Sequence, residues 1–147
     1  MVGTIRREIP VKAPASRVWA ALRRPGDVAD LFPGVLAGSR LEGHDRVVTF
    51  ANGPALRERI VAIDDSARRV VYAVLGEQFA HHNASMQVVP DGEDASRMIW
   101  ITDFLPDALR PEIEPLIDAG SASFSRRWQG RVYSNAVDAT SSDASAG

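Results

Sequence analysis

The stretch from Pro106 to Val137 constrains this chain most. Its apolar residues Leu109, Ile113, Leu116, Ile117, Phe124, Trp128, Val132 and Ala136 recur, apart from the adjacent pair Leu116-Ile117, at gaps of three or four residues or sums of these. That spacing lines one stripe of a long helix. Gly120, Ser121, Ala122 and Ser123 interrupt the stripe with small side chains. A helix packed fully on a sheet would carry Leu or Ile there; small residues leave room or let a backbone approach closely. Arg126, Arg127 and Arg131 fall off the stripe and read as a solvated face. Asp107 reads as the N-cap, with Pro111 in the first turn. Pro115 is expected to bend or split the helix, or to mark its true start, since proline in a regular interior costs about 3 kcal/mol.

Nearly everything before this helix reads as short strands. Thr4 to Lys12 sets Ile5, Ile9 and Val11 against Arg6, Glu8 and Lys12, a half-buried strand in which Pro10 argues for a sheet edge or a bulge. Pro14 to Arg23 carries Val18, Trp19 and Leu22 at helical spacing. Asp27 can cap a second short helix through Leu31, ended by Pro33-Gly34. Strands follow over 35–42, 46–51, 56–63, 69–75, 83–89 and 97–104, separated by turns such as Asn52-Gly53-Pro54 and Pro90-Asp91-Gly92. Short turns between strands predict an antiparallel meander. The fold class is therefore α+β: a curved antiparallel sheet wrapped around a long C-terminal helix, with two short helices after the first strand.

The 147 residues make one domain by size. We assign residues 1–137 to it and read 138–147, rich in Ser, Ala and Asp, as a flexible tail. A formal charge of -2 gives no electrostatic case for nucleic acid. The absence of cysteine excludes disulfides, thiolate nucleophiles and zinc–sulfur sites, and fits a cytoplasmic location. No apolar run serves as a signal sequence or membrane span.

Several stretches resemble the START and birch-pollen-allergen superfamily (SRPBCC), in its bacterial polyketide cyclase/dehydrase and lipid-transport branch. They are Ala13-Pro14 with Val18-Trp19 and Leu22, and Pro25-Gly26-Asp27 leading to Phe32-Pro33-Gly34. Arg57-Glu58-Arg59-Ile60 ahead of Asp64, Arg97 with Trp100 and Phe104-Pro106, and Ile113 to Gly120 follow in order. The resemblance covers residues 4 to about 135. It implies a helix-grip fold with a cavity between sheet and long helix for a hydrophobic or aromatic small molecule. It implies no catalytic set common to all members.

The candidates for that cavity come from strand parity. If Leu56 and Ile60 point inward, Glu58 does too, and a carboxylate in an apolar pocket can act as a general acid or base. The alternative is that Glu58 pairs with an arginine such as Arg97 and holds the sheet. Tyr72 shares a face with Val70 and Val74, and could bond a ligand carbonyl or be satisfied core. Trp100, Thr102 and Phe104 form a second inward row with Met98. Gly120 and Phe124 supply the helix side, Phe124 reading also as core. His81 and His82 face opposite ways on an extended chain. One of them, with His82 as the candidate, serves as base or hydrogen-bond partner, or both lie exposed in a loop; no metal site is expected. Asn83 beside them could orient a ligand. No serine-nucleophile, phosphate-loop or dinucleotide motif occurs.

Three functions follow. The first is a helix-grip protein that binds a hydrophobic or aromatic small molecule and resembles polyketide cyclases/dehydrases and lipid-transfer proteins; as a cyclase-like enzyme it would need no cofactor, with Glu58 or His82 moving protons. The second is a non-catalytic carrier or sensor of a hydrophobic small molecule, as monomer or homodimer. The third is an interaction module with no cavity.

Overall fold

The computed structural model describes residues 3–144, with side chains from 3 to 129. Seven strands form one antiparallel sheet: β1 (Gly3–Val11), β2 (Leu36–Glu42), β3 (Asp45–Phe50), β4 (Ala55–Asp64), β5 (Arg69–Leu75), β6 (His81–Pro90) and β7 (Ser96–Leu105). Their order across the sheet is β1-β7-β6-β5-β4-β3-β2. All but β1 follow chain order, because short turns join neighbours; β1 pairs with β7 and closes the far edge. Pro10, which donates no backbone hydrogen bond, thus sits on an edge strand as expected.

Helix α1 (Ala15–Leu22) buries Ala15, Val18, Trp19 and Leu22. Pro14 precedes it in an extended conformation, at the cap rather than in the first turn. The second short helix is a 3-10 helix over Pro25–Leu31, starting two residues before the expected Asp27, whose side chain caps nothing. Proline at its first position already supplies the required φ.

The long helix α2 spans Arg110–Ala144, after a 3-10 turn over Asp107–Leu109 capped by Pro106 rather than Asp107. It runs unbroken through Pro115 and Gly120, against the expected split. Pro111 and Pro115 both lie exposed, so water can satisfy the carbonyl that the missing N–H leaves free. Its backbone continues past Val137, the boundary expected for the domain. Residues 145–147, the end of the expected tail, and the side chains of Arg131, Val132 and Ala136 lie outside the described ones. Arg127 is not merely solvated: its Nε donates to the Asp30 carbonyl at 2.8 Å, tying α2 to the 3-10 helix.

Sheet and helix do not pack uniformly. In one half, Ile9, Val70, Val88 and Met98 form a closed core, with Val18 and Leu22 of α1 also buried. There Phe124 is fully buried and stacks obliquely on Phe32 at 5.5 Å and on Trp128 at 6.3 Å. At the β1 edge, Arg7 turns inward and clamps α2, donating to Asp118 and Glu114 at 2.7 Å each. These acids, one helical turn apart, meet both arms of the guanidinium and raise its pKa further above its already high ordinary value. Arg110 adds a bond to the Thr4 carbonyl. The start of α2 is thus fastened along one side, over β1. No helix among the described residues is long and apolar enough to cross a membrane.

Phe124 should behave as a packed core residue. Phe124→Ala is expected to cost about 3–5 kcal/mol, read from the midpoint of urea unfolding. A loss under about 1 kcal/mol would mean that the helix is not seated there.

Candidate functional site

The other half of the sheet–helix interface is hollow. A cavity of about 280 Å³ lies between the concave face and the first turns of α2, near the lower end of the ~300–1,000 Å³ common for ligand sites. Strand alternation directs Leu56 and Glu58 of β4, Tyr72 and Val74 of β5, His82 and Met86 of β6, and Trp100 and Thr102 of β7 into it. The helix contributes Ile113, Leu116, Ile117 and Gly120, and the 3-10 segment is followed by Phe32 on the inner wall. Leu116 is 53% exposed although it lies on the apolar stripe, so it stands at the rim. Gln78 and Glu112, also exposed, share that rim.

The small-residue window has a different role from the one expected. Of Gly120 to Ser123, Gly120 alone lines the cavity. A Cβ on Gly120 would stand 2.9 Å from the Trp100 ring, so the glycine makes room for the indole. Ser123 is fully buried and donates to the Pro33 carbonyl at 2.7 Å, fixing α2 to the turn before β2.

One buried ion pair dominates the polar lining. Arg46 and Glu58 are directly opposite in the β3–β4 register and meet at 2.6 Å, both almost inaccessible to water. Arg46 also donates to the Pro25 carbonyl at 3.4 Å and lies over the Tyr72 ring at 4.9 Å. The partner of Glu58 is therefore Arg46. Arg97 faces outward to Glu8 and Asp91. Tyr72 accepts a hydrogen bond from Trp100 Nε1 at 3.1 Å. Burial, and then the nearby Glu58 charge, push its hydroxyl well above the usual tyrosine range.

The two histidines separate as strand parity requires, but they begin β6 rather than occupying a loop. His81 is exposed and meets Asn83 at 2.6 Å. Asn83 in turn donates to Asp103, so it faces away from the cavity. His82 lines the cavity. The β5–β6 ladder ends at Tyr72 and Ala84, and beyond it His82 Nδ1 accepts the Val74 N–H at 2.9 Å. That bond places the ring proton on Nε2. Burial, with the neighbouring His81 charge second, pushes the His82 pKa down to about 4. Thr102 is buried, lines the cavity, and its Oγ1 has no hydrogen-bond partner.

Six of the eight residues expected in the site, Glu58, Tyr72, His82, Trp100, Thr102 and Gly120, converge on this one cavity. Phe104 and Phe124 do not line it. Phe104 points inward at the end of β7 but is covered by Gly3, where a Cβ would come within 2.8 Å of its ring, and by Arg110. Phe124 lies behind Phe32. Sequence reasoning passed over Arg46. The signal was present: Arg46 shares its parity with Val48 and Phe50.

The sign of the His82 effect on stability follows from its depressed pKa. The unfolded chain protonates near the ordinary 6.5 and the folded chain only near 4. The contribution is full above 6.5 and is lost as the pH falls from 6.5 toward 4. His82→Asn keeps an acceptor near Nδ1 and removes the titration. Its melting temperature should fall less steeply than the wild type across that window. Surface carboxylates titrate equally in both proteins, so parallel slopes would remove His82 from the account.

Comparison with known proteins agrees with this architecture. Residues 3–142 match the profile of a family described as polyketide cyclase/dehydrase and lipid transport. MLP-like protein 423 of Arabidopsis thaliana is 30% identical over 121 residues, covering 69% of this chain and 76% of that protein. A solved Bacillus thuringiensis protein has TM-score 0.76 at 18% identity, over 86% of this chain and 99% of its own. Norcoclaurine synthase from Thalictrum flavum, solved with dopamine and hydroxybenzaldehyde, has TM-score 0.66 at 21% identity, over 86% of each chain. Those two likenesses carry the fold alone. The helix-grip architecture and a family match across nearly all the described residues together establish that this chain belongs to the polyketide cyclase/dehydrase and lipid transport family, whose fold binds ligands.

Proposed function

We propose that this protein binds a hydrophobic small molecule between its sheet and α2, as a non-catalytic carrier or sensor. The observation that carries the reading is the hollow of about 280 Å³, walled mostly by apolar side chains and rimmed by exposed Leu116. An exposed leucine at the lip of an apolar cavity suits a surface that a ligand crosses and then covers.

The polar groups favour carriage over catalysis. Glu58 is engaged by Arg46, and freeing it as a base would leave a buried arginine unpaired. His82 uses Nδ1 to hold Val74, and with a pKa of about 4 it is a weak base at neutral pH. A cofactor-independent cyclase or dehydratase is the second reading. The family description favours it, and His82 Nε2–H would then act as a hydrogen-bond donor to a developing oxyanion.

Two measurements test the first reading. Native mass spectrometry of the purified protein should reveal a co-purifying apolar molecule in one-to-one stoichiometry. Nile red, an uncharged dye, should bind with a blue-shifted emission. Ile113→Trp, which fills the hollow from the helix side, should weaken that binding by about tenfold or more. Unchanged dye affinity in this variant would place binding elsewhere.

A further inference from the structure

The polar groups of the cavity narrow what kind of molecule it takes. Resting on the ligand-binding reading above, we propose that the cavity selects an uncharged apolar molecule bearing a hydrogen-bond acceptor oxygen, a carbonyl or an ether-like group, anchored by the Thr102 hydroxyl with His82 Nε2–H beside it.

The first argument is charge. Five ionisable side chains line the cavity: Arg46, Glu58, Tyr72, His82 and Glu112. Arg46 and Glu58 cancel at 2.6 Å, and Tyr72 is neutral. His82 is neutral because Nδ1 is occupied as an acceptor, and protonating it would set two N–H groups against each other. The interior therefore carries no net charge. A buried anionic ligand would need Arg46, and taking it would leave Glu58 buried without its partner. A cationic ligand would strand Arg46 in the same way. Glu112 stands at the exposed rim, where it repels anions and offers nothing to the interior.

The second argument is an unused donor. Thr102 is 2% exposed, and its hydroxyl has no partner. Of the three buried side-chain polar atoms without a bond among the described residues, Thr102 Oγ1, Ser121 Oγ and Trp128 Nε1, Thr102 alone belongs to a residue lining the cavity. The register sets Thr102 opposite Ala84 and His82 opposite Phe104, so Thr102 and His82 are diagonal neighbours on the inner face. Ala84 on β6 adds no bulk beside them. A hydroxyl that can donate and an imidazole N–H that must donate together call for an acceptor. Tyr72, whose hydroxyl accepts from Trp100, lies across Ala84 on the same row.

Three naphthalenes of nearly equal shape separate the possibilities by calorimetry at neutral pH: acetylnaphthalene (a ketone), isopropenylnaphthalene (its hydrocarbon isostere) and naphthoate (the anion). The ketone should bind about tenfold tighter than the hydrocarbon, the gain of one buried hydrogen bond. The anion should bind at least about tenfold more weakly than the ketone. Thr102→Val should bring the ketone-to-hydrocarbon affinity ratio to about one, and Thr102→Ser should preserve it. Circular dichroism of both variants confirms that they are folded. Naphthoate binding as tightly as the ketone, or a ketone advantage that survives Thr102→Val, overturns the proposal while leaving the cavity in place. Failure of all three compounds to bind overturns the ligand-binding reading itself.

Discussion

The spacing between sheet and helix depends on one side chain. Trp100 projects from the middle of β7, bonds Tyr72 through its indole N–H, and presses its ring edge onto the bare backbone of Gly120. An indole is rigid and large, so its contact fixes how closely α2 can approach the strands. On one side of it Phe124 and Trp128 close the core behind Phe32. On the other, Ile113, Ile117 and Thr102 face one another across open space. Close contact and cavity are consequences of the same prop.

That division explains how a small domain can enclose a hollow and remain stable. The packed half buries α1 with Ile9 of β1, Val88 of β6 and Met98 of β7, which supplies the hydrophobic driving force. The hollow half relies on polar ties at its margins. Arg7 straps the start of α2 to β1, Ser123 fastens its middle to Pro33, and Arg46 joins β3, β4 and the Pro25 carbonyl. The Arg46 and Ser123 ties satisfy buried polar groups, whereas Arg7 meets its acids at the exposed edge. Helix α2 is fastened along the β1 side and free of such ties beside Leu116 at the rim.

Much of this was legible in the chain. Strand alternation named Glu58, Tyr72, Trp100 and Thr102 as inward and left open which of His81 and His82 joins them; those four and His82 line one cavity, because side-chain parity survives wherever the ladder is regular. Parity says which face a residue takes and not how far along the sheet the hollow extends. Phe104 and Phe124 obeyed the pattern and still ended in packed regions, covered by Gly3 and Phe32. The bulge between Ile60 and Ala62 broke alternation late in β4, setting Ala62 opposite Val71 and leaving it exposed instead of on the face of Leu56 and Ile60. The partner of Glu58 was out of reach for a related reason. Arg46 and Arg97 are both candidates by charge, and only the β3–β4 register puts one of them directly opposite.

The sequence by itself determined the element order, the antiparallel meander and the long amphipathic helix, since periodicity and turn chemistry are local properties. Tertiary structure alone decided that Gly120 admits an indole, that His82 holds a backbone N–H where β5 and β6 part, and that Thr102 is left without a partner. Those outcomes depend on which distant atoms share a few ångströms of space. A one-dimensional pattern carries no such distances.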